Sequence, residues 1–189
     1  MLKLTHVPFP ELSTARLCLR KASLKDANAY HQLLSCAEIA KFSDVPANPT
    51  KKRSERFVSW MSKLQPRGKG VGWIIESINS KSVLGAIRIN SIEKKAQCGM
   101  IGYEIHPDHW GQGFATEALS SVVVFAHTEL ELNRLEAWTV VGNEASNRVL
   151  AKCGFLHEGV QREKAQFNGA LHTLNLYGRL AKDTLPKVT

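Results

Sequence analysis

Ile101-Gly102-Tyr103-Glu104-Ile105-His106-Pro107-Asp108-His109-Trp110-Gly111-Gln112-Gly113-Phe114-Ala115-Thr116-Glu117-Ala118 changes its periodicity part-way along. Before Pro107 the run from Gly99 to Ile105 reads as a strand. After Gly113, the residues Ala115, Ala118, Leu119, Val122 and Ala126 fall on one stripe of a helix. Trp110 to Gly113 is then a glycine-bearing loop between a strand and a helix. Gly111 and Gly113 let the backbone approach a ligand closely, and the helix that follows starts with unpaired N–H groups and the positive end of its dipole. Such a turn is a cradle for pyrophosphate. Two other phosphate loops are excluded. A G-x-G-x-x-G pattern needs glycine at 116, where Thr116 stands, and no Gly-Lys-Ser/Thr follows as a P-loop requires.

Working outward, Ala15 to Lys21 alternates with period two and predicts a first strand. Ser23 with Asp26 three residues on marks a helix start for Leu24 to about Ala37. A second helix is predicted from Thr50 to about Leu64, with Phe57, Met61 and Leu64 at helical spacing, and Pro66, Gly68, Gly70 and Gly72 are expected to end it. Trp73 to Ile78, Val83 to Asn90 and Gly99 to Ile105 follow as strands joined by short turns, which implies an antiparallel meander. Beyond the glycine loop come a strand at Leu135 to Val141, a helix from Glu144 to Cys153, and two closing strands on either side of Asn168-Gly169. The sum is a mixed α/β (α+β) chain with helices early, an antiparallel centre and a parallel crossover late.

The chain has 189 residues, 43% hydrophobic and 22% charged, which suits one compact domain spanning 1–189. Its longest apolar run, Val122 to Ala126, is far too short to cross a membrane. Met1 to Pro10 lacks the basic-then-apolar pattern of an export leader, so a cytoplasmic location is expected. Cys18, Cys36, Cys98 and Cys153 are scattered, and His106, His109, His157 and His172 show no ligand spacing, so no metal or disulfide framework is expected. A net charge of +8 suits an anionic partner such as RNA, a ribosome or a phosphorylated cofactor. Lys51-Lys52-Arg53 lacks interleaved aromatics, so direct nucleic-acid binding is not expected. Either a monomer or a homodimer fits.

The glycine loop resembles the acetyl-CoA-binding motif Q/R-x-x-G-x-G/A of the GNAT superfamily, with Gly113 and Ala115 on its small positions and Trp110 where Gln or Arg is usual. The form with Trp-Gly-Gln-Gly followed by Ala-Thr-Glu-Ala is similar to the bacterial ribosomal-protein N-terminal acetyltransferases of the Rim type. Asn143-Glu144-Ala145-Ser146 with Lys152-Cys153-Gly154-Phe155 and Glu158-Gly159 resembles a second motif of that branch. Asn168-Gly169, His172, Asn175 and Tyr177 resemble its closing hairpin, with Thr173 where Asp is often found. The resemblance runs from about Ala15 to Leu180.

It implies a GNAT fold, in which a mixed, mostly antiparallel sheet of about seven strands is flanked by about four helices and splayed between its fourth and fifth strands. It also implies acetyl-CoA as co-substrate. Its contacts would come from Ile105, His106, Trp110, Gly111, Gln112, Gly113, Phe114, Ala115, Thr116, Asn143 and Ser146. Free N–H groups near Ile105 and His106 would polarise the thioester carbonyl and hold its oxyanion. The acceptor would be the α-amine of a protein N-terminus, with a ribosomal protein as the class the branch suggests, attacking directly within a ternary complex. An α-amine, with a reference pKa of about 7.7–8.0, is partly free base near neutrality, so a modest general base suffices. Glu104 is the first candidate for that base, with Glu158 and Glu163 in reserve, and Ser146 is the candidate donor to the leaving thiolate. Two other readings stay open on the sequence. One is an acetyltransferase of a small amine such as an antibiotic, a polyamine or an amino-acid derivative, and the other is a non-enzymatic acyl-CoA-sensing or RNA-binding module.

Overall fold

The computed structural model describes residues 4, 5, 7–46 and 48–183. Its strands and helices follow as β1 (Leu12–Ser13), β2 (Leu17–Lys21), α1 (Ala27–Leu34), α2 (Ala37–Ala40), α3 (Lys51–Leu64), β3 (Val71–Ser77), β4 (Val83–Glu93), β5 (Cys98–Ile105), α4 (Phe114–Thr128), β6 (Arg134–Val140), α5 (Glu144–Lys152), β7 (Leu156–Phe167) and β8 (Ala170–Leu180). The strands form one sheet in the order β1-β2-β3-β4-β5-β6-β8-β7. Every neighbouring pair is antiparallel except β5 and β6, which are joined through α4 as the expected parallel crossover.

Alternation along the central strands makes two cores. Trp73, Ile75, Ile87, Ile89 and Ile101 point to the side covered by α4, where they meet Leu119 and Val122. Ile74 and Ala86 point the other way and pack with Tyr30 of α1 and Val58 and Met61 of α3. Thr50 caps α3 by accepting from the Arg53 amide at 3.2 Å, so the helix starts where its sequence predicts. At the far end, Asn168 and Gly169 both adopt positive φ, the geometry that a two-residue hairpin turn demands.

Three expectations are corrected. The helix expected over Leu24 to Ala37 is divided into a 3-10 turn at Leu24–Asp26, α1 and α2. Ser35 Oγ takes up the His31 carbonyl at 2.8 Å and Cys36 turns extended, which breaks the run. Gly72, expected among the residues that end α3, lies inside β3, where a Cβ would stand 3.0 Å from Met61 Cβ. Its missing side chain lets α3 come down on the sheet. The two-residue β1 adds an eighth strand, and α2 a fifth helix.

The site is prepared by a short seam in the middle of this sheet. β5 and β6 pair only through Cys98 with Arg134, Gly99 with Leu135 and Met100 with Glu136. Past Met100 the strands part, and a V opens between Ile101–Ile105 and Ala137–Val140.

Candidate active site

The loop below the V is held open by its backbone. Gly111 and Gly113 have φ of 74° and 81°, a left-handed conformation that side chains oppose. No atom lies within 4 Å of where a Gly111 Cβ would be, so the space over the loop is free. Gly113 is the N-cap of α4 and offers no side chain to the first amides, which leaves them for a ligand.

A clamp from the start of the chain fixes this turn. Arg16 Nη1 donates to the Gln112 carbonyl at 3.0 Å, its Nε donates to Glu117 Oε2 at 2.7 Å, and its guanidinium covers the Phe114 ring at 4.4 Å. Thr14 Oγ1 and the Arg16 amide both donate to Glu117 Oε1, at 2.6 and 2.9 Å. Burial raises the Glu117 carboxyl, but these bonds outweigh it and hold the group below the usual carboxylate range.

Register decides which amides face the V. The His106 amide donates to the Leu84 carbonyl at 2.8 Å, and Glu104 stands opposite Ala86 in the same hydrogen-bonded phase. The amides of Tyr103 and Ile105 therefore point away from β4 and into the opening. Trp110 Nε1 donates to the Ile105 carbonyl at 2.7 Å and anchors the loop to the strand end. Across the V, Asn143 caps α5 by accepting from the Ser146 amide at 3.2 Å, and Tyr103 Oη donates to the Ser146 carbonyl at 3.3 Å. Burial pushes the Tyr103 hydroxyl up, so it remains a donor. The Ser146 hydroxyl has no partner among the described residues.

The V, from the glycine loop to its mouth at α1 and α3, forms one cavity of about 860 Å³. Arg88 Nη1 donates to both Glu104 oxygens at 2.7 Å, Tyr30 Oη donates to Glu104 Oε1, and the Arg88 guanidinium lies 4.9 Å from the Phe57 ring centre. Burial first, and the neighbouring Glu104 next, push the Tyr30 hydroxyl well up, so it stays protonated. Glu38 and Asp44 line the same end, with Phe42, Trp60 and Phe167 as aromatic wall.

Among the residues singled out in the sequence, Glu104, Ile105, Trp110, Gly111, Gly113, Ala115, Thr116, Asn143 and Ser146 border this one cavity. His106, Gln112 and Phe114 do not border it. The His106 amide is consumed by β4 and its Nε2 lies 3.5 Å from Cys36 Sγ, while Gln112 and Phe114 serve the Arg16 clamp. Glu158 is ion-paired with Arg134, and Glu163 sits in a bulge of β7 on a separate surface depression. Sequence reasoning missed Tyr30, Arg88 and Asn90. The signal for the last two was two polar residues at spacing two in the otherwise apolar run from Val83 to Asn90. Among the described residues, no group of three or more His, Cys, Asp or Glu is placed to hold a metal, and no helix is long and apolar enough to cross a membrane.

The model of the acetyltransferase (GNAT) domain matches residues 16–156, a span that contains Arg16 and Glu117 of the clamp, the loop and both sides of the V. The chain belongs to the GNAT acetyltransferase family. This acetyltransferase is 35% identical over 169 residues to the uncharacterised N-acetyltransferase YoaA of Bacillus subtilis, covering 89% of this chain and 96% of that one. It is 33% identical over 98 residues to the ribosomal-protein-serine acetyltransferase of Escherichia coli, 52% of this chain and 55% of that one. Its fold is that of the ribosomal L7/L12 α-N-protein acetyltransferase RimL, solved with coenzyme A. The two superpose with a TM-score of 0.83 over 90% of this chain and 98% of that one, at 24% identity.

Proposed function

We propose that this acetyltransferase transfers the acetyl group of acetyl-CoA to the α-amine of a protein N-terminus, a ribosomal protein being the leading class, by direct attack with both substrates bound. The observation that carries this reading is the V itself, one cavity with an open glycine loop at one end and Glu38, Asp44 and Glu104 at the other. Similarity to the Escherichia coli ribosomal-protein-serine acetyltransferase supports the acceptor class.

The residues present fit acetyl-CoA. The loop at Gly111 to Gly113 leaves room and uncapped amides for a pyrophosphate, and the free amides of Tyr103 and Ile105 suit an extended amide-bearing arm. Asn143 retains its Nδ2 for the same arm, its Oδ1 being spent on the cap. When bound, acetyl-CoA supplies an activated acetyl thioester. The Ile105 amide is the candidate donor to the carbonyl oxygen. Ser146, with its unengaged hydroxyl at the first turn of α5, is the candidate proton donor to the departing sulfur, and the proton that the attacking amine sheds makes up the one it gives. Glu104 stays at the acceptor end. With both oxygens already taken by Arg88 and Tyr30, it is assigned an orienting charge for the incoming amine, which reaches its free-base form readily near neutrality.

Acetyl-CoA-dependent thiol release tests the reading against peptides with free Ser, Ala, Thr or Met N-termini, N-blocked lysine peptides, spermidine and an aminoglycoside. Response of the free N-termini alone is expected. Response of spermidine or the aminoglycoside alone would replace the acceptor class with small amines.

A further inference from the structure

Arg88 and Asn90 stand on the face of β4 that meets Glu104 of β5, and Gly102, paired with Arg88, leaves no side chain between them. A Cβ at Gly102 would lie 2.7 Å from Asn90 Nδ2 and 3.4 Å from Arg88 Nη2, so both nitrogens sit directly over that glycine. Arg88 commits only Nη1 to Glu104. Its Nη2 and the Asn90 Nδ2 have no partner among the described residues, and behind them Arg88 Nε and Asn90 Oδ1 are buried without one. Arg88 Nη2 and Asn90 Nδ2 are not among the fully buried atoms, so they reach the cavity, and two donors left unspent there fit an oxygen from outside the protein.

The charges around it say which oxygen. Arg88 is offset by Glu104, Glu38 and Asp44 also line the cavity, and its other cations, Arg148 and Lys152, lie on α5 across the V together with Glu144, so a carboxylate visiting Arg88 would meet a cation already engaged and acids beside it. A neutral carbonyl takes the same hydrogen bonds without that repulsion, while the ammonium form of an amine beside it is drawn in. We propose that Arg88 Nη2 and Asn90 Nδ2 form the subsite for a neutral carbonyl oxygen next to the acceptor's reacting amine. The acids around this subsite turn away amines that carry a free carboxylate in its place. The inference rests on the reading of this cavity as the acceptor site, and it names the residues that separate an N-terminal residue, whose carboxyl is tied up in a peptide bond, from a free amino acid.

Three amines of nearly equal size test it on the full chain: serinamide, serine, and 2-amino-1,3-propanediol, which lacks the carbonyl. Compared at equal concentrations of the free-base amine, serinamide should exceed each of the others about tenfold in kcat/KM, the scale of one or two hydrogen bonds. Asn90→Leu should lower serinamide about tenfold and leave the diol within about twofold, which a general loss of structure would not do. Gly102→Ala, which sets a methyl against both nitrogens, should narrow the same preference. Equal rates for serine and serinamide in the wild-type enzyme, or an equal fall for serinamide and the diol in Asn90→Leu, would overturn the subsite while leaving acetyl transfer intact. Silence of all three, and of a serine-initiated peptide, would remove the proposed function and the subsite with it.

Discussion

Separating Arg88 from Glu104 should be among the costliest single changes in this protein. Their side chains are only 14% and 12% exposed, they meet at 2.7 Å, and neither has another ion-pair partner among the described residues. Removing one member of a buried pair leaves an uncompensated charge, at a cost of about 3–5 kcal/mol. Glu104→Gln keeps an acceptor for Tyr30 and Arg88 and should fall near the lower end, about 3 kcal/mol. Arg88→Met should cost as much or more, because it strands the carboxylate and empties the space against Phe57. In a chain of 189 residues each kcal/mol moves Tm by about 2–4 °C, so a drop on the order of 10 °C is expected for either variant. The double variant leaves no charge to strand. Its loss, measured by urea unfolding, should fall short of the summed single losses by at least about 2 kcal/mol. Single losses under about 1 kcal/mol that simply add would refute the buried, coupled pair, and with it the orienting task given to Glu104.

Ser146→Ala should lower kcat about 10- to 100-fold, since a positioned proton donor contributes on that scale or more, while calorimetric binding of acetyl-CoA stays within about twofold. Unchanged turnover would remove Ser146 from the chemistry. The Glu117 carboxyl is held below its ordinary value in the folded chain, so its contribution to stability is present above the unfolded value near 4.5 and is lost as pH falls through the lower folded one. Glu117→Gln should therefore destabilise at neutral pH by about 1–2 kcal/mol and flatten the acid limb of a stability-against-pH curve. An acid limb identical to the wild type would show that the clamp carries none of it.

Most of the local structure was legible in the sequence because it is set by neighbours along the chain. Thr50 before α3, glycines 111 and 113 before α4, Asn143 before α5 and Asn168-Gly169 between β7 and β8 each impose their geometry through their own backbone or side chain. The glycine loop and the motif around Asn143 and Ser146 pointed to the family for the same reason. What only the tertiary structure decided lies where residues far apart in sequence meet. Glu104 could be read as a base from its place beside Ile105, yet its engagement by Arg88 and Tyr30 depends on the register of β4 on β5 and on the packing of α1. The Arg16–Glu117 clamp joins positions 101 apart. The V is a matter of sheet geometry. No residue type forbids β5 and β6 from pairing past Met100, and it is the divergence of the whole strands that leaves the Tyr103 and Ile105 amides unspent. Sequence periodicity says which way a side chain points, but whether an amide has a partner is settled only by the strand that does or does not lie beside it.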